Sequence, residues 1–390
     1  MSGTSILVLN AGSSSIKFAL FAPNGAALDT DSRGQIEGIG TAHPRLRLKR
    51  GDEQLTRDLS VDEAGSHRAA IELLTAALAQ QRDSTHIVGV GHRIVHGGMR
   101  FIAPQRLGAA SLAALQKLVP LAPLHQQHNL AVVEAVSALL PEVPQIGCFD
   151  TAFHRDHDTV AEMFALPWSM YSAGVRRYGF HGLSYEYIAS ALPPALAGGR
   201  VVVAHLGNGA SLCAIDNGRS VDSTMGFSAL DGIPMGSRCG QLDPGVILYL
   251  LREQQLDVDE LENLLYHRSG LLGISGIASD MRDLLQSDDP RAALAIDYYV
   301  FRIAREIAAL TATLGGLDGV VFTAGIGENS AEIRQRICAR LQWLGVQLET
   351  QANARNATCI SSAQSAVSVL ALPTNEELMI ARHTRALLGL

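Results

Sequence analysis

Near its start the chain reads Ile6-Leu7-Val8-Leu9-Asn10-Ala11-Gly12-Ser13-Ser14-Ser15-Ile16-Lys17-Phe18-Ala19-Leu20-Phe21. The two apolar runs flank a cluster of Asn, Gly and Ser, a pattern typical of two β-strands joined by a turn. The pattern returns about 195 residues later, where residues 201–206 (VVVAHL) lead into 207–210 (GNGA) and then 211–215 (SLCAI). This repetition favours an internal duplication of one α/β unit; chance similarity between two hairpins is the alternative.

Helices and one further buried strand are predicted around these segments. Residues 131–140 have helical periodicity and end before Pro141, and residues 290–314 form a long amphipathic pattern. Residues 320–324 (VVFTA) are an apolar strand that enters 325–329 (GIGEN), which we predict to be a turn before another helix. The order of elements indicates an α/β or α+β architecture in two lobes.

Composition excludes several classes of protein. The chain has 390 residues, 47% of them hydrophobic, with 31 Lys+Arg against 38 Asp+Glu and a net charge of −7. A disordered chain would be less hydrophobic, and a binder of nucleic acid or anionic membranes would be basic. The first residues lack a secretory-signal pattern, and no apolar run reaches 18 residues. With five scattered cysteines, we expect a soluble, cytoplasmic protein with neither nucleic acid nor membrane as partner.

Three glycine-rich segments, at residues 10–15, 207–211 and 325–329, are candidates for phosphate binding. Glycine lets backbone N–H groups approach phosphate oxygens without a Cβ in the way. No GxxxxGK[ST] sequence is present, and Ser330 stands where a dinucleotide fingerprint has its third glycine. A nucleotide site is therefore predicted, but neither a P-loop nor a Rossmann site.

Polar residues are also concentrated in four segments, each of which has an ordinary loop as its alternative explanation: 91–98 (GHRIVHGG), 149–154 (FDTAFH), 176–182 (RRYGFHG) and 231–240 (DGIPMGSRCG). Histidine pairs occur at His92/His96, His125/His128 and His154/His157. They leave a metal-dependent hydrolase open, although no HExxH motif is present. A serine hydrolase is disfavoured because there is no GxSxG motif.

Eight motifs, in order along nearly the whole chain, resemble the acetate kinase family: 9–18 (LNAGSSSIKF), 91–98, 149–154, 176–182, 204–211 (AHLGNGAS), 237–245 (SRCGQLDPG), 322–330 (FTAGIGENS) and 374–384 (TNEELMIARHT). The resemblance implies an α/β fold of two duplicated ribonuclease H-like lobes of the actin-like ATPase type, with the active site in the cleft between them. The N-terminal lobe would span residues 1–149, completed by a C-terminal helix at about 376–390. The nucleotide-binding lobe would span 150–375.

The same resemblance implies an activity: reversible Mg²⁺-dependent phosphoryl transfer between ATP and acetate, giving ADP and acetyl phosphate, by direct in-line transfer. Mn²⁺ would be a possible substitute for Mg²⁺, and the protein would be a homodimer. Two other interpretations stay open. One is a propionate or butyrate kinase on the same scaffold, and the other is a non-catalytic nucleotide-binding protein of this superfold.

The resemblance also implies site residues. The catalytic groups would be Arg93, Asp150, His181 and Arg238. Arg93 would bind the acetate carboxylate, and the acyl pocket would be lined by Val95, Leu124 and Phe180. Asn10 and Glu376 would serve the metal. The nucleotide phosphates would meet Lys17 and the turn His205, Leu206, Gly207, Asn208 and Gly209. The adenosine would be enclosed by Asp280, Met281, Arg282, Gly325, Ile326, Gly327, Glu328 and Asn329.

The roles of two carboxylates, Asp150 and Glu376, can be predicted in part from their chemistry and their neighbours in the sequence. A carboxylic acid nucleophile is already ionised near neutral pH, so Asp150 need not act as a base. We expect it to hold a metal-bound water or to orient an arginine, and Asp150→Asn to raise the Mg²⁺ requirement. Thr374 and Glu377 have capping-box spacing, which would leave Glu376 free for the metal. The alternative is that Glu376 is a solvated carboxylate at a helix start.

The chain departs from the family pattern at three places. Ala229 replaces the usual proline, residues 126–128 (QQH) replace Asn-Pro-Pro, and residues 183–185 (LSY) replace Thr-Ser-His. We expect the first two departures to loosen the acyl pocket and to admit propionate, whereas Val95 favours acetate. One methylene is worth only about 1–3 kcal/mol in an apolar pocket, so selectivity should be modest.

Overall fold

In the computed structural model, the two apolar runs near the start of the chain form neighbouring antiparallel strands. Ile6 lies opposite Phe21 and Leu9 opposite Phe18, which confirms the predicted pairing. The structure describes residues 3–25, 27–80 and 85–390, with side chains at all of these positions except 3, 78–80, 85 and 124. Within the described residues, no helix is both long enough and apolar enough to cross a lipid bilayer.

The chain folds as two units, unit 1 (Met1–Ala152 with Asn375–Leu390) and unit 2 (Phe153–Thr374). The strands of unit 1 are β1 Gly3–Ala11, β2 Ser15–Asn24, β3 Ala27–Glu37, β4 Arg45–Arg50, β5 Glu53–Asp58, β6 Thr85–Ile94, β7 Gln105–Arg106 and β8 Gln145–Phe149. Its helices are α1 Val61–Ala64, α2 His67–Gln80, α3 Ala109–Gln116, α4 Pro123–Leu139 and the C-terminal helix Glu376–Leu388.

The helices of unit 2 are α5 Thr159–Glu162, α6 Trp168–Ser172, α7 Gly182–Ala191, α8 Pro194–Ala197, α9 Pro244–Arg252, α10 Val258–His267, α11 Gly270–Ser275, α12 Met281–Leu285, α13 Pro290–Leu314, α14 Ala324–Asn329, α15 Ala331–Ala339 and α16 Thr350–Ala354. Its strands are β9 Arg200–Leu206, β10 Ala210–Asp216, β11 Arg219–Ser223, β12 Gly319–Thr323 and β13 Ser368–Ala371. Single 3-10 turns occur at Val119–Leu121, Ala152–His154 and Gln342–Leu344.

The two sheets repeat one topology. The order in unit 1 is β5-β4-β3-β2-β1-β6-β8-β7, and in unit 2 it is β11-β10-β9-β12-β13. In each unit a central strand, β1 or β9, has antiparallel strands on one side, which begin with β2 and β3 in unit 1 and with β10 and β11 in unit 2. Two parallel strands follow on the other side, β6 and β8 in unit 1 and β12 and β13 in unit 2. Strand order and direction therefore support duplication over chance resemblance between hairpins.

Each unit has its own apolar core. In unit 1 the alternate side chains Leu7, Leu9, Phe18 and Leu20 pack with residues of α2 and α4. In unit 2 the buried strands β9 and β12 pack against α7 through Val201, Val203 and Val321. A strand covered on both faces is a continuous apolar run rather than an alternating one, which explains the sequence pattern at residues 201–206 and 319–322.

The C-terminal helix of unit 1 packs closely on the central strands of that unit because two glycines in β6 make room for it. A Cβ at Gly89 would lie 2.3 Å from Leu388 Cδ1, and one at Gly91 would lie 2.5 Å from Ile380 Cγ2. Side chains at these positions would force the helix away from the sheet. The glycines thereby let this helix, which begins at Glu376, lie close to the sheet.

Three local predictions differ from the structure. Residues 325–329 are helix α14 and not a turn; the carboxylate of Glu328 accepts the backbone N–H of Ala324 at 2.8 Å and so caps that helix. Helix α4 begins at Pro123 rather than 131, because proline is well suited to the first turn of a helix. The C-terminal helix is capped by Asn375, whose side chain accepts the N–H of Leu378, so the Thr374–Glu377 capping box was wrong.

Candidate active site

In unit 1 three predicted site residues lie at the carboxyl ends of neighbouring parallel strands. Asn10 is near the end of β1, Arg93 is near the end of β6, and Asp150 directly follows β8. The registers place Leu9 beside His92 and Ile94 beside Phe149. Because parallel strands end at one edge of the sheet, residues far apart in sequence meet there.

Arg93 is the centre of this group. Its Nε donates to Asp150 Oδ1 at 2.9 Å and its Nη2 donates to Asp150 Oδ2 at 2.6 Å, while Nη1 donates to Asn10 Oδ1 at 3.2 Å. The Asp150 side chain is 2% exposed, whereas that of Arg93 is 20% exposed. Burial alone would lower the pKa of Arg93, but the neighbouring Asp150 and Glu376 raise it. The ion pair between Arg93 and Asp150 therefore holds a guanidinium cation in one orientation at the carboxyl ends of these strands.

Glu376 completes an oxygen-rich donor set in unit 1. Its Oε2 lies 3.7 Å from Arg93 Nε, and its side chain is 14% exposed. The pKa of the Glu376 carboxyl is raised, mainly by burial and also by the neighbouring Glu377, although Arg93 and Lys17 act in the opposite direction. Carboxylate and amide oxygens are the ligands that Mg²⁺ prefers, and Mg²⁺ usually needs only one or two protein oxygens. Asn10, Asp150 and Glu376 therefore fit a magnesium ion by the chemistry of their donors.

The predicted acyl-pocket residues are placed in both units. Val95 of unit 1 is buried, and its N–H donates to Asn129 Oδ1 at 3.0 Å. Leu124 lies in helix α4, but its side chain is outside the described part of the structure. Phe180 belongs to unit 2 and is 2% exposed. The structure thus describes two of the three predicted side chains, both of them buried.

One departure from the family pattern has a clear structural role. Gln126 is fully buried, and its amide pairs with the backbone of His96: Oε1 accepts the N–H at 3.2 Å and Nε2 donates to the C=O at 3.0 Å. A doubly bonded buried amide holds the backbone next to Val95 in one position. Gln126 therefore tightens this segment.

In unit 2 the side chain of His181 is held from two sides. Its Nδ1 lies 2.8 Å from Ser211 Oγ, and its ring stacks on that of His205 with centroids 4.3 Å apart. His205 Nδ1 is itself 2.8 Å from Ser184 Oγ. His181 has a φ of 57°, in the left-handed region, and directly precedes helix α7. These contacts fix an imidazole at a backbone position that is unfavourable for a non-glycine residue.

His181 and Arg238 meet over Gly209. A Cβ at Gly209 would lie 3.5 Å from His181 Nε2 and 3.6 Å from Arg238 Nη1. The missing side chain of Gly209 thus leaves space in front of an imidazole nitrogen and a guanidinium. Nearby, a Cβ on Gly236 would lie 2.1 Å from Asn208 Oδ1, so this loop approaches the turn only because Gly236 is a glycine. Such a cradle suits a tetrahedral oxyanion such as a phosphoryl group.

A cavity of about 750 Å³ in unit 2 begins at the same turn. It is lined by Gly207, Asn208, Ser279, Asp280, Met281, Arg282, Leu285, Gly325, Ile326, Asn329 and Ser330. Its volume is that of a site for a molecule of nucleotide size. Eight of the lining residues were predicted from the motifs. Ser279, Leu285 and Ser330 were missed, and of these only Ser330 carries a local signal, as the N-cap of helix α15.

Other predicted nucleotide residues do not line this cavity. Lys17 is an exposed residue of unit 1, and Leu206 is fully buried in unit 2. The carboxylate of Glu328 accepts backbone N–H groups of Ala324 and Thr374, at 2.8 and 3.1 Å. Gly327, buried in α14, is also absent from the lining, as are His205 and Gly209, which belong to the His181 cluster. Asp280 lines the cavity but also caps helix α12, and Arg282 lowers its pKa to about 2.

Two of the three histidine pairs, His92/His96 and His154/His157, have hydrogen-bond partners rather than a metal-binding arrangement. His92 Nε2 lies 2.7 Å from Gln145 Oε1, and His96 Nδ1 accepts the N–H of Gly98 at 2.9 Å. His154 and His157 both contact Ser220 Oγ. Within the described residues, no three His, Cys, Asp or Glu side chains lie close enough together to hold a metal ion. The described geometry therefore gives no support to a hydrolase built on these histidines.

His92 makes stability depend on pH. Burial lowers its pKa to about 4 from 6.5. The neutral ring is favoured in the folded protein, so its contribution is complete above pH 6.5 and is lost as the pH falls toward 4, by up to about 3 kcal/mol. We expect urea unfolding across this range to be less pH-dependent in His92→Gln than in the wild type. His43→Gln, at an exposed histidine, is the control. Equal pH dependence in both variants would contradict the prediction.

Comparison with known proteins shows which family this chain resembles over nearly its whole length. Residues 5–382 match the sequence model of the Acetokinase family. An acetate kinase from Rhodopseudomonas palustris is 52% identical over 386 residues, which cover 97% of each chain. A solved propionate kinase from Francisella tularensis has a TM-score of 0.92 and 37% identity, and a solved acetate kinase from Porphyromonas gingivalis has a TM-score of 0.87 and 35% identity. Both matches cover 99% of this chain and 100% of the other. This chain belongs to the Acetokinase family.

Proposed function

We propose that the protein is an acetate kinase that reversibly transfers the γ-phosphoryl group of ATP to acetate, forming acetyl phosphate and ADP. The observation that carries this proposal is the meeting of His181 Nε2 and Arg238 at Gly209. The turn that contains Gly209 also lines, through Gly207 and Asn208, the cavity of about 750 Å³. A cavity for the nucleoside thus ends at groups suited to the oxygens of a phosphoryl group.

The reaction needs positioning and charge neutralisation more than proton transfer. An acetate oxygen forms a bond to the γ-phosphorus, and the bond from that phosphorus to the β–γ bridging oxygen breaks, with its electron pair leaving on ADP. No proton moves, because the attacking carboxylate is already anionic. His181 and Arg238 neutralise and orient the transferred group.

Arg93 binds the acetate carboxylate in this proposal, and Asp150 orients Arg93. The bidentate contact at 2.9 and 2.6 Å leaves the guanidinium one orientation.

Asn10, Asp150 and Glu376 would hold a magnesium ion or its waters. When bound, the ion neutralises charge on the β- and γ-phosphate oxygens of the substrate. Lys17 in β2 is a further cation of unit 1 for the phosphates. Mn²⁺ has the same ligand preference and is a possible replacement.

We also propose a homodimer in the cytoplasm. Helix α9 is apolar in composition but has no buried residue in unit 2, and Leu248 and Tyr249 are 50% and 53% exposed. On α13, Leu294 and Phe301 are 60% and 47% exposed. Such apolar helix faces support burial against a second copy. None of the five cysteines, all within the described residues, forms a disulfide, which supports a reducing compartment.

Propionate is the second candidate substrate, because a solved propionate kinase is 37% identical to this chain. The decisive experiment traps the acyl phosphate as its hydroxamate, with ATP, Mg²⁺ and acetate, propionate or butyrate in turn. We expect the highest kcat/KM for acetate and a loss of about 1–3 kcal/mol per added methylene. A preference for butyrate would contradict the acyl assignment, and no acyl phosphate with any acid would favour a non-catalytic nucleotide-binding protein.

Gly209→Ala tests the phosphoryl cradle. The added methyl would meet its nearest atoms at 3.5–3.8 Å, an ordinary contact, so folding should be unaffected. It would nevertheless occupy the space in front of His181 and Arg238, and we expect kcat to fall about 100-fold because a small misplacement of reacting groups has that effect. Gly198→Ala, outside the cavity, is the matched control. Retained kcat in Gly209→Ala would place the transferred group elsewhere.

A further inference from the structure

A chain of hydrogen-bonded polar side chains, buried at His154 and Ser220 and half-buried at His157, contacts the segment that carries Phe180 and His181. His154 is fully buried, with Nε2 2.9 Å from the carbonyl oxygen of Phe180 and Nδ1 2.7 Å from Ser220 Oγ. His157 Nε2 lies 2.7 Å from the same hydroxyl. The chain therefore runs from His157 through Ser220 and His154 to the backbone of Phe180.

The chemistry of these groups fixes the direction of each hydrogen bond. A carbonyl oxygen only accepts, so Nε2 of His154 must carry a proton. The ring is neutral, because burial first, and then His157 and Arg155, hold the pKa of His154 well below its usual value. Nδ1 therefore accepts, and the single proton of Ser220 points to it. His157 Nε2–H then donates to Ser220, whose oxygen also lies 3.1 Å from Cys213 Sγ.

The segment that accepts the hydrogen bond from His154, residues 179–181, has an unusual backbone conformation. Gly179 and His181 both have positive φ, 74° and 57°. A Cβ at Gly179 would lie 2.5 Å from ring atoms of His154, so the backbone rests directly on the imidazole. Left-handed conformations of non-glycine residues are unfavourable and persist only where surrounding contacts determine them. The hydrogen bond from His154 to Phe180 is such a contact, at the residue directly before His181.

We propose that His154 is a positioning residue for phosphoryl transfer: through its Nε2–H bond to the Phe180 carbonyl, it holds the His181 imidazole at the transferred group. The proposal rests on the function proposed above, in which His181 contacts that group. His154 itself touches no substrate. The residues that line the cavity, 207–208, 279–282, 285, 325–326 and 329–330, are not among the hydrogen-bond partners given above for His154. Its loss should therefore act on kcat more than on the KM for ATP.

Two amide variants of His154 separate the effect of its hydrogen bond to Phe180 from the effect of its side-chain volume. The amide nitrogen of glutamine can occupy the place of Nε2, so His154→Gln keeps a donor to Phe180, whereas the shorter His154→Asn reaches only the Nδ1 place beside Ser220. We expect His154→Asn to lower kcat about 100-fold with little change in the KM for ATP, and His154→Gln to stay within about 5-fold of the wild type. The melting temperatures of both variants show whether either substitution destabilises the whole fold. Each variant buries one amide, so similar losses of stability are expected.

The tautomer of the wild-type ring supplies a readout that does not depend on activity. Two-bond ¹H–¹⁵N correlation spectra, assigned by comparison with His154→Gln, should show His154 and His157 as neutral rings protonated at Nε2. Protonation of His154 at Nδ1, or equal loss of kcat in the Asn and Gln variants, would overturn the proposal. If one variant fails to fold, the protonation state of His154 in the wild-type spectrum decides whether the proposal stands. A wild type that makes no acyl phosphate would instead contradict the proposed function, and the tautomer would remain a separate result.

Discussion

Replacing Asp150 by asparagine is expected to lower kcat/KM for acetate by about 100- to 1000-fold, or about 3–4 kcal/mol, because it removes the charged partner that orients Arg93 in an ion pair. Both carboxylate oxygens of Asp150 accept hydrogen bonds from Arg93. Asparagine keeps one acceptor but loses the charge and places an amide N–H against a guanidinium. Arg93 then loses its fixed orientation toward acetate. Steady-state kinetics with acetate as the varied substrate measure the effect.

Glu376→Gln is the matched comparison for this variant. Glu376 lies 3.7 Å from Arg93, so it orients the guanidinium less than Asp150 does. We expect the glutamine variant to raise the Mg²⁺ concentration for half-maximal rate more than it raises the KM for acetate. The sequence alone suggested a higher Mg²⁺ requirement for Asp150→Asn, and the bidentate contact with Arg93 shifts that expectation to Glu376. The reverse pattern, with Mg²⁺ dependence changed mainly in Asp150→Asn, would contradict this division of roles.

Replacing Arg334 by methionine is expected to lower the free energy of unfolding by about 3–5 kcal/mol. Arg334 is fully buried, and five hydrogen bonds link its guanidinium to neutral oxygens of Gly327, Glu328, Asn353 and Asn356. Methionine fills the space but leaves the buried acceptors on Gly327 and Asn353 unsatisfied. Unfolding by guanidinium chloride, followed by circular dichroism, measures the decrease in the free energy of unfolding.

The control lies two residues away on the same helix. Arg336 pairs with Glu332 and Asp297 at the surface, and its side chain is 38% exposed. Arg336→Met should therefore lose less than about 1 kcal/mol. Because Arg334 binds carbonyls at the end of α14, which lines the cavity, Arg334→Lys should also raise the KM for ATP. Equal stability of the two methionine variants would show that Arg334 is not required to hold this helix.

Local pattern predicted the strands well and the glycine-rich segments less well. The apolar runs at 6–9 and 16–21 pair as expected, and helix Pro290–Leu314 has the predicted bounds. Residues 325–329 form a helix despite two glycines, because Glu328 caps its start and Arg334 binds carbonyls at its end. The contact from Arg334 comes from the following helix, beyond the glycine-rich segment, so local propensity alone pointed to a turn.

The amino-acid sequence by itself determined the strand–turn–strand repeat and, through eight ordered motifs, the family, which the comparisons confirmed. These features depend on the local order of apolar, glycine and polar residues. Only the tertiary structure decided that Arg93 meets Asp150 across 57 positions of the chain and that His181 and Arg238 converge at Gly209. Such contacts arise from strand register and from side chains absent at glycines, and both are properties of the packed chain.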